Sequence, residues 1–167
     1  VDACALRGWQ VPQQYAGRLR SSVLFLGALL ARMGRARIAL PGGCPLGKRP
    51  IDLHVLALQT LGAQVAVGRH FAECRAEAPH GGRIRLPFAS VGATENAILA
   101  AVGCDGETVI ENAAREPEIG DLVRFLRAAG AQLEQNGGEI SIQGGAPLHG
   151  ATFTILPDRI ETATYLC

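Results

Sequence analysis

Apolar residues recur along this chain at two spacings, one helical and one alternating, and the order of the two repeats. Ile51, Val55, Leu58 and Leu61 share one helical face, and Ile119, Leu122, Leu126 and Ala129 share another. Each stripe ends at a glycine, Gly62 or Gly130, the residue best suited to the left-handed backbone that stops a helix. An alternating stretch follows both, so Leu58-Gln59-Thr60-Leu61-Gly62-Ala63-Gln64-Val65 corresponds to Leu126-Arg127-Ala128-Ala129-Gly130-Ala131-Gln132-Leu133, a period of 68 residues. Apolar helical segments at 23–33 and 94–102 lead into short strands at 37–40 and 107–110, and 83–86 reads as an alternating strand before the second copy. Alternating runs at 132–135 and 139–142 flank Asn136-Gly137-Gly138, which predicts a hairpin. Residues 151–156 read as the strand that opens a third copy, with a helix beginning at Arg159.

The expected class is therefore α/β, built from a unit of helix, strand, helix, hairpin and strand. A partial unit covers 1–80, a second covers 81–150, and 151–167 begins a third. Val1 reads as an interior residue of a longer chain, and a helix cut within its first turns leaves an apolar face without a partner. The expectation is a segment truncated at both ends. Ile38 matches Ile110 at an offset of 72 whereas Ile51 matches Ile119 at 68, so the connection at 41–50 has four more residues than its counterpart. Loops that outgrow their structural equivalents are where function concentrates.

Composition narrows the possibilities. With 167 residues, 48% hydrophobic, 19% charged and mean hydropathy +0.17, the chain can bury a core. Sixteen basic against fifteen acidic residues, a net charge of +1, give no bulk field to hold nucleic acid or an anionic membrane, so any anion must be bound locally. The longest apolar run, 23–31, has nine residues, against roughly 20 for a membrane span. No signal pattern opens the chain, and the expected location is cytoplasmic. Five cysteines form no CxxC pair and four histidines no ligand-spaced cluster, which argues against zinc and for free thiols.

Cys44 stands out among the thiols. It lies in Pro41-Gly42-Gly43-Cys44-Pro45-Leu46-Gly47-Lys48-Arg49-Pro50, where glycines let backbone approach a ligand and nearby cations favour thiolate. Such a thiol serves as nucleophile or proton donor; the alternative is a buried structural cysteine. Cys4, Cys74, Cys104 and Cys167 lack that surrounding and read as bystanders. Arg49-Pro50-Ile51-Asp52-Leu53-His54 opens the next helix, and its free N–H groups with Arg49 suit either a plain helix start or a phosphate. Ser90-Val91-Gly92-Ala93-Thr94-Glu95 is a second strand-to-helix turn, readable as an ordinary N-cap or an anion cradle. Arg20 reads as a solvated residue or a ligand clamp. No Walker A, GxGxxG, HExxH or GxSxG pattern occurs, which leaves nucleotide hydrolysis, dinucleotide redox and serine hydrolysis without support.

Taken together these stretches, with Glu107-Thr108-Val109-Ile110-Glu111-Asn112-Ala113-Ala114-Arg115-Glu116-Pro117-Glu118-Ile119 and Ile155-Leu156-Pro157-Asp158-Arg159-Ile160-Glu161-Thr162, resemble the enolpyruvyl transferases. Within that family the resemblance is to the branch that acts on UDP-N-acetylglucosamine. It implies a fold of two inside-out α/β barrel domains, each of three units around buried helices. This chain would supply most of one domain, with the second domain largely absent and the 167 residues inactive by themselves. It also implies transfer of the enolpyruvyl group from phosphoenolpyruvate to the sugar 3′-hydroxyl with release of phosphate, in peptidoglycan synthesis, without cofactor or metal.

By the same resemblance Cys44 is the proton donor at C3 of phosphoenolpyruvate and the position alkylated by fosfomycin. Arg49 meets the phosphoenolpyruvate anion, Arg20 the UDP-sugar, and Pro50, Ile51, Asp52 and Leu53 with Ser90 and Val91 the uridine and diphosphate. Phe88 and Ala89 occupy positions where some members carry a Lys, which removes a side-chain charge but leaves backbone contact open. The rival readings are the sister enzyme acting on shikimate 3-phosphate, which does not rely on a loop cysteine, a non-catalytic nucleotide-sugar-binding module, and a redox-sensing thiol protein.

Overall fold

The structure, a computed structural model, describes residues 2–40 and 50–167. Two four-stranded mixed sheets stand on a shared helical core. The first runs β1 (Gln10–Val11), β2 (Arg35–Ala39), β4 (Phe71–Arg75), β3 (Gln64–Val67) in spatial order, and the second runs β5 (Arg83–Arg85), β6 (Gly106–Glu111), β8 (Glu139–Gly144), β7 (Gln132–Asn136). In each sheet the first pair is parallel and the other two antiparallel. The parallel pairs need a crossover, and helices supply it: α1 (Gln13–Ala16), a 3₁₀ turn over Arg20–Leu24 and α2 (Phe25–Met33) in the first case, α4 (Val91–Ala101) in the second. Between β2 and β3 lies α3 (Asp52–Thr60), between β6 and β7 lies α5 (Pro117–Ala128), and α6 (Arg159–Leu166) comes last.

The glycine stops are observed as the pattern predicts. Gly62 (φ 84°) and Gly130 (φ 99°) are left-handed, and the following N–H closes each helix, Ala63 onto the Leu58 carbonyl and Ala131 onto that of Leu126. The hairpin between β7 and β8 turns at Gly137 (φ 62°), with Asn136 opposite Glu139. Strand was expected at 151–156; none forms. β1 and β5 each pair with the strand after the next helix, and 151–156 has no such neighbour among the described residues, so its backbone joins no ladder. Instead the segment leans on α5: Phe153 meets Phe125 edge-on at 5.6 Å, and the Leu156 N–H donates to Asp121 Oδ2 at 3.1 Å.

One apolar cluster runs through both sheets, and α4 lies at its middle with Ala93, Ala97, Ile98, Ala100 and Ala101 fully buried. Small side chains bring helices close: a Cβ on Gly27 of α2 would collide with the backbone and side chain of Asn96, and one on Gly103 with Ala31. This contact leaves the N-terminus of α4 beside the start of α3, and the cleft described next opens there.

Candidate functional site

A cleft of about 940 Å³ opens where the 3₁₀ turn, the start of α3, the N-termini of α4 and α5 and the start of α6 converge. Of the residues singled out in the sequence, Arg20, Pro50, Asp52, Leu53, Phe88, Ser90 and Val91 line it. They come from three separate stretches. Ile51 is buried in the core instead, and Ala89 is exposed beside the rim; neither lines the cleft. Cys44 and Arg49, with Lys48, lie outside the described residues.

One wall is rich in donors. The Arg20 guanidinium donates to the Pro50 carbonyl at 3.1 Å, which joins the 3₁₀ turn to the start of α3. Ser90 caps α4 through a long bond from the Ala93 N–H to its Oγ (3.4 Å), so the N–H groups of Val91 and Gly92 precede the first intrahelical bond and point out of the helix end. Helix N-termini favour negative charge through these groups and the dipole behind them. Asp52, exposed in the first turn of α3, supplies the counter-charge.

His54 closes the motif that begins at Arg49, and nothing in the motif itself assigns it a role. It is 5% exposed, lines the cleft, and is hydrogen-bonded at Nδ1 by Asn96 Nδ2 (3.2 Å). Burial above all, with Arg20 in support and against Asp52, pushes its pKa down to about 4. Unfolded histidine titrates near 6.5, so as pH falls the unfolded chain takes the proton first. The stability this represents is complete above pH 6.5 and lost as pH falls through about 4, by up to roughly 3 kcal/mol. Urea melts at pH 7 and pH 4 should show that loss, and a His54→Gln protein should lose less over the same interval.

The opposite wall is acidic. Glu118 receives both arms of Arg159, Nε at 3.3 Å and Nη2 at 3.0 Å, which holds its carboxyl below the usual range and ties the start of α6 to α5. Glu95 is pushed up by burial and by Glu118, and Glu116 completes the wall. These residues fall inside the quoted motifs, but only the fold reveals that they face Arg20 and His54. Thr94 Oγ1 accepts the Ala114 N–H at 3.0 Å and so fixes the α5 entrance against α4.

The other cysteines lie away from the cleft. Burial pushes Cys74 up to about 12 and Cys104 to about 11, far from a reactive thiolate, while Cys4 and Cys167 are exposed away from the cleft. Among the described residues no group of three or more His, Cys, Asp or Glu stands together to hold a metal, and no helix is long and apolar enough to cross a membrane.

Two mixed sheets on buried helices, with a cleft at a helix N-terminus that has one donor-rich and one acidic wall, define an α/β protein. The chain belongs to the EPSP synthase (3-phosphoshikimate 1-carboxyvinyltransferase) family, whose model matches residues 4–167. It is 48% identical over 167 residues to a UDP-N-acetylglucosamine 1-carboxyvinyltransferase of Gloeobacter violaceus, and 55% identical over 168 residues to that of Maricaulis maris. Each match spans 99% of this chain but only 36% and 40% of those proteins. The enolpyruvyl transferase NikO of Streptomyces tendae superposes with TM-score 0.84 at 25% identity, covering 99% of this chain and 40% of that one. An EPSP synthase of Acinetobacter baumannii superposes with TM-score 0.68 at 25% identity over 87% of this chain and 33% of that one.

Proposed function

We propose that these residues are the nucleotide-sugar-binding part of an enzyme that transfers the enolpyruvyl group of phosphoenolpyruvate to the 3′-hydroxyl of UDP-N-acetylglucosamine, the first committed step of peptidoglycan synthesis. The observation that carries the reading is the convergence of Arg20, Pro50, Asp52, Leu53, Phe88, Ser90 and Val91 on one cleft. The 48–55% identity to relatives named for that reaction supports the UDP-sugar over shikimate 3-phosphate as acceptor.

On this reading the chain spans 1–80, 81–150 and the opening of 151–167 as successive units of one inside-out domain, with a second domain supplied by the rest of a longer protein. The shared strand order of the two sheets supports the first two units. The enzyme works in the cytoplasm, where phosphoenolpyruvate is available. Arg20 and the α4 N-terminus hold the diphosphate, with guanidinium and backbone N–H groups meeting phosphate oxygens. Arg49 meets the phosphoenolpyruvate anion. The sugar 3′-oxygen bonds to C2 of phosphoenolpyruvate while Cys44 gives a proton to C3, forming a tetrahedral adduct. C3 then loses a proton, the C2=C3 bond reforms, and the C2–O bond to phosphate breaks with its electrons on the departing phosphate. The base that takes the 3′-hydroxyl proton comes from the second domain.

The test is phosphate release by the complete gene product. Release should require phosphoenolpyruvate and UDP-N-acetylglucosamine together, and the sugar product should gain the mass of the enolpyruvyl group. Release with shikimate 3-phosphate in place of the nucleotide sugar would move the protein to the sister reaction, and release with neither acceptor would remove it from the family's chemistry.

A further inference from the structure

The His54 ring is held by a relay across three helices. The Gly27 N–H of α2 donates to Asn96 Oδ1 at 2.8 Å, which fixes the amide of Asn96, so its Nδ2 faces His54 Nδ1 at 3.2 Å. An amide N–H only donates, hence Nδ1 carries no proton and the ring's single proton sits on Nε2. The Cε1–Nε2 edge lies against Gly92 in the first turn of α4, where a Cβ would stand 3.4 Å from Cε1 and 3.7 Å from Nε2. His54 is only 5% exposed, it lines the cleft, and among the described residues Nε2 has no partner. A nearly buried donor with its proton fixed, unused by the protein and placed at a helix N-terminus, is a site for an acceptor from outside.

We infer that His54 is a neutral hydrogen-bond donor of the cleft, directed by Asn96 to a phosphoryl oxygen of the bound nucleotide diphosphate beside the Val91 and Gly92 N–H groups. Asn96 is the positioning residue; His54 touches the ligand. A neutral donor adds a contact without placing a buried cation next to Arg20, whose field already favours the anion. The inference rests on the nucleotide-sugar reading for the ligand, though not for the tautomer.

The experiment uses the complete gene product with ¹⁵N-labelled histidine, the His54 signals being assigned by their loss in His54→Gln. The ring should show the Nε2–H tautomer at neutral pH, and UDP-N-acetylglucosamine should shift Nε2. His54→Asn keeps an acceptor for Asn96 but loses the outer donor, and should weaken UDP-N-acetylglucosamine binding roughly 10- to 100-fold, the range of a hydrogen bond to a charged group. His54→Gln, whose amide reaches the Nε2 position, should recover most of that loss. A merely structural role predicts that the two variants lose affinity in step with their melting temperatures, and that outcome overturns the inference. An Nδ1–H tautomer, or affinity unchanged in His54→Asn, overturns it as well. If the wild-type protein does not bind the nucleotide sugar, the reading of function fails separately: inorganic pyrophosphate then decides, a shift of Nε2 upholding the anion donor and an unmoved resonance rejecting it.

Discussion

Replacing Cys44 with serine in the complete gene product is expected to lower phosphate release roughly 100-fold or more, with the KM for UDP-N-acetylglucosamine little changed. A positioned general acid contributes about 10²–10⁴ in rate, and a serine hydroxyl, far less acidic than a thiol near 8.5, cannot take its place. On the proposed function the nucleotide sugar is held by other residues, so the effect belongs in kcat. Cys74→Ser and Cys104→Ser give the contrast. Both thiols are buried, with Sγ donating to the carbonyls of Leu26 (3.7 Å) and Ala100 (3.3 Å), so their replacement should act on stability and leave turnover per folded molecule unchanged. Full turnover by Cys44→Ser would mean that the proton reaches C3 from elsewhere, as in the sister enzyme.

The second large effect is on folding. Gly27→Ala should destabilise the protein by roughly 3–5 kcal/mol, which corresponds to a fall in melting temperature of about 10 °C. A methyl group there would stand 2.5 Å from Asn96 Oδ1 and 3.3 Å from the Ala100 nitrogen, and against the Asn96 carbonyl oxygen. Asn96 and Ala100 are both fully buried, and α4 is also packed against α3, β6 and β8, so these groups cannot retreat. Forcing α2 away also strips the Gly27 N–H from Asn96, leaving a buried donor and amide unpaired. Differential scanning calorimetry measures the shift. A second consequence separates this account from simple crowding: His54 should lose its single tautomer in the variant, since Asn96 is no longer oriented.

The chain's own pattern foretold the helices and hairpin because they rest on local signals. The stripe from Ile119 to Ala129, stopped by Gly130, defines α5, and Asn136-Gly137-Gly138 defines the β7–β8 turn. The helical reading of 23–33 takes in Val23 and Leu24, the end of the 3₁₀ turn at Arg20–Leu24, since apolar spacing over so few residues does not separate the two geometries. β1 and α1 span two and four residues, too short for any period to register, and exist because β2 offers a parallel edge. Residues 151–156 carry a strand-like pattern, but a strand needs a partner and pattern alone does not supply one.

For the cleft, the sequence could mark Arg20, Pro50 to Leu53 and Ser90 to Val91 because each stands in a motif with its own chemistry. Ile51 carries two conflicting signals, its place in the motif and its place on the apolar stripe with Val55, Leu58 and Leu61, and the structure follows the stripe: Ile51 is buried while Pro50, Asp52 and Leu53 line the cleft. The role of His54 was invisible for a different reason. Its partner Asn96 is 42 residues away, and the residue that orients Asn96 is Gly27, another 69 away in sequence. The acidic wall likewise forms only when Glu118 and Arg159, 41 residues apart, meet across the cleft mouth.

The central claim, that this cleft holds the nucleotide sugar, is tested most directly by amide hydrogen exchange of the complete gene product with and without UDP-N-acetylglucosamine. Protection should concentrate in peptides covering 50–54 and 88–96, which carry the start of α3 and the N-terminus of α4. Unchanged exchange there, with protection elsewhere or none at all, would contradict the account.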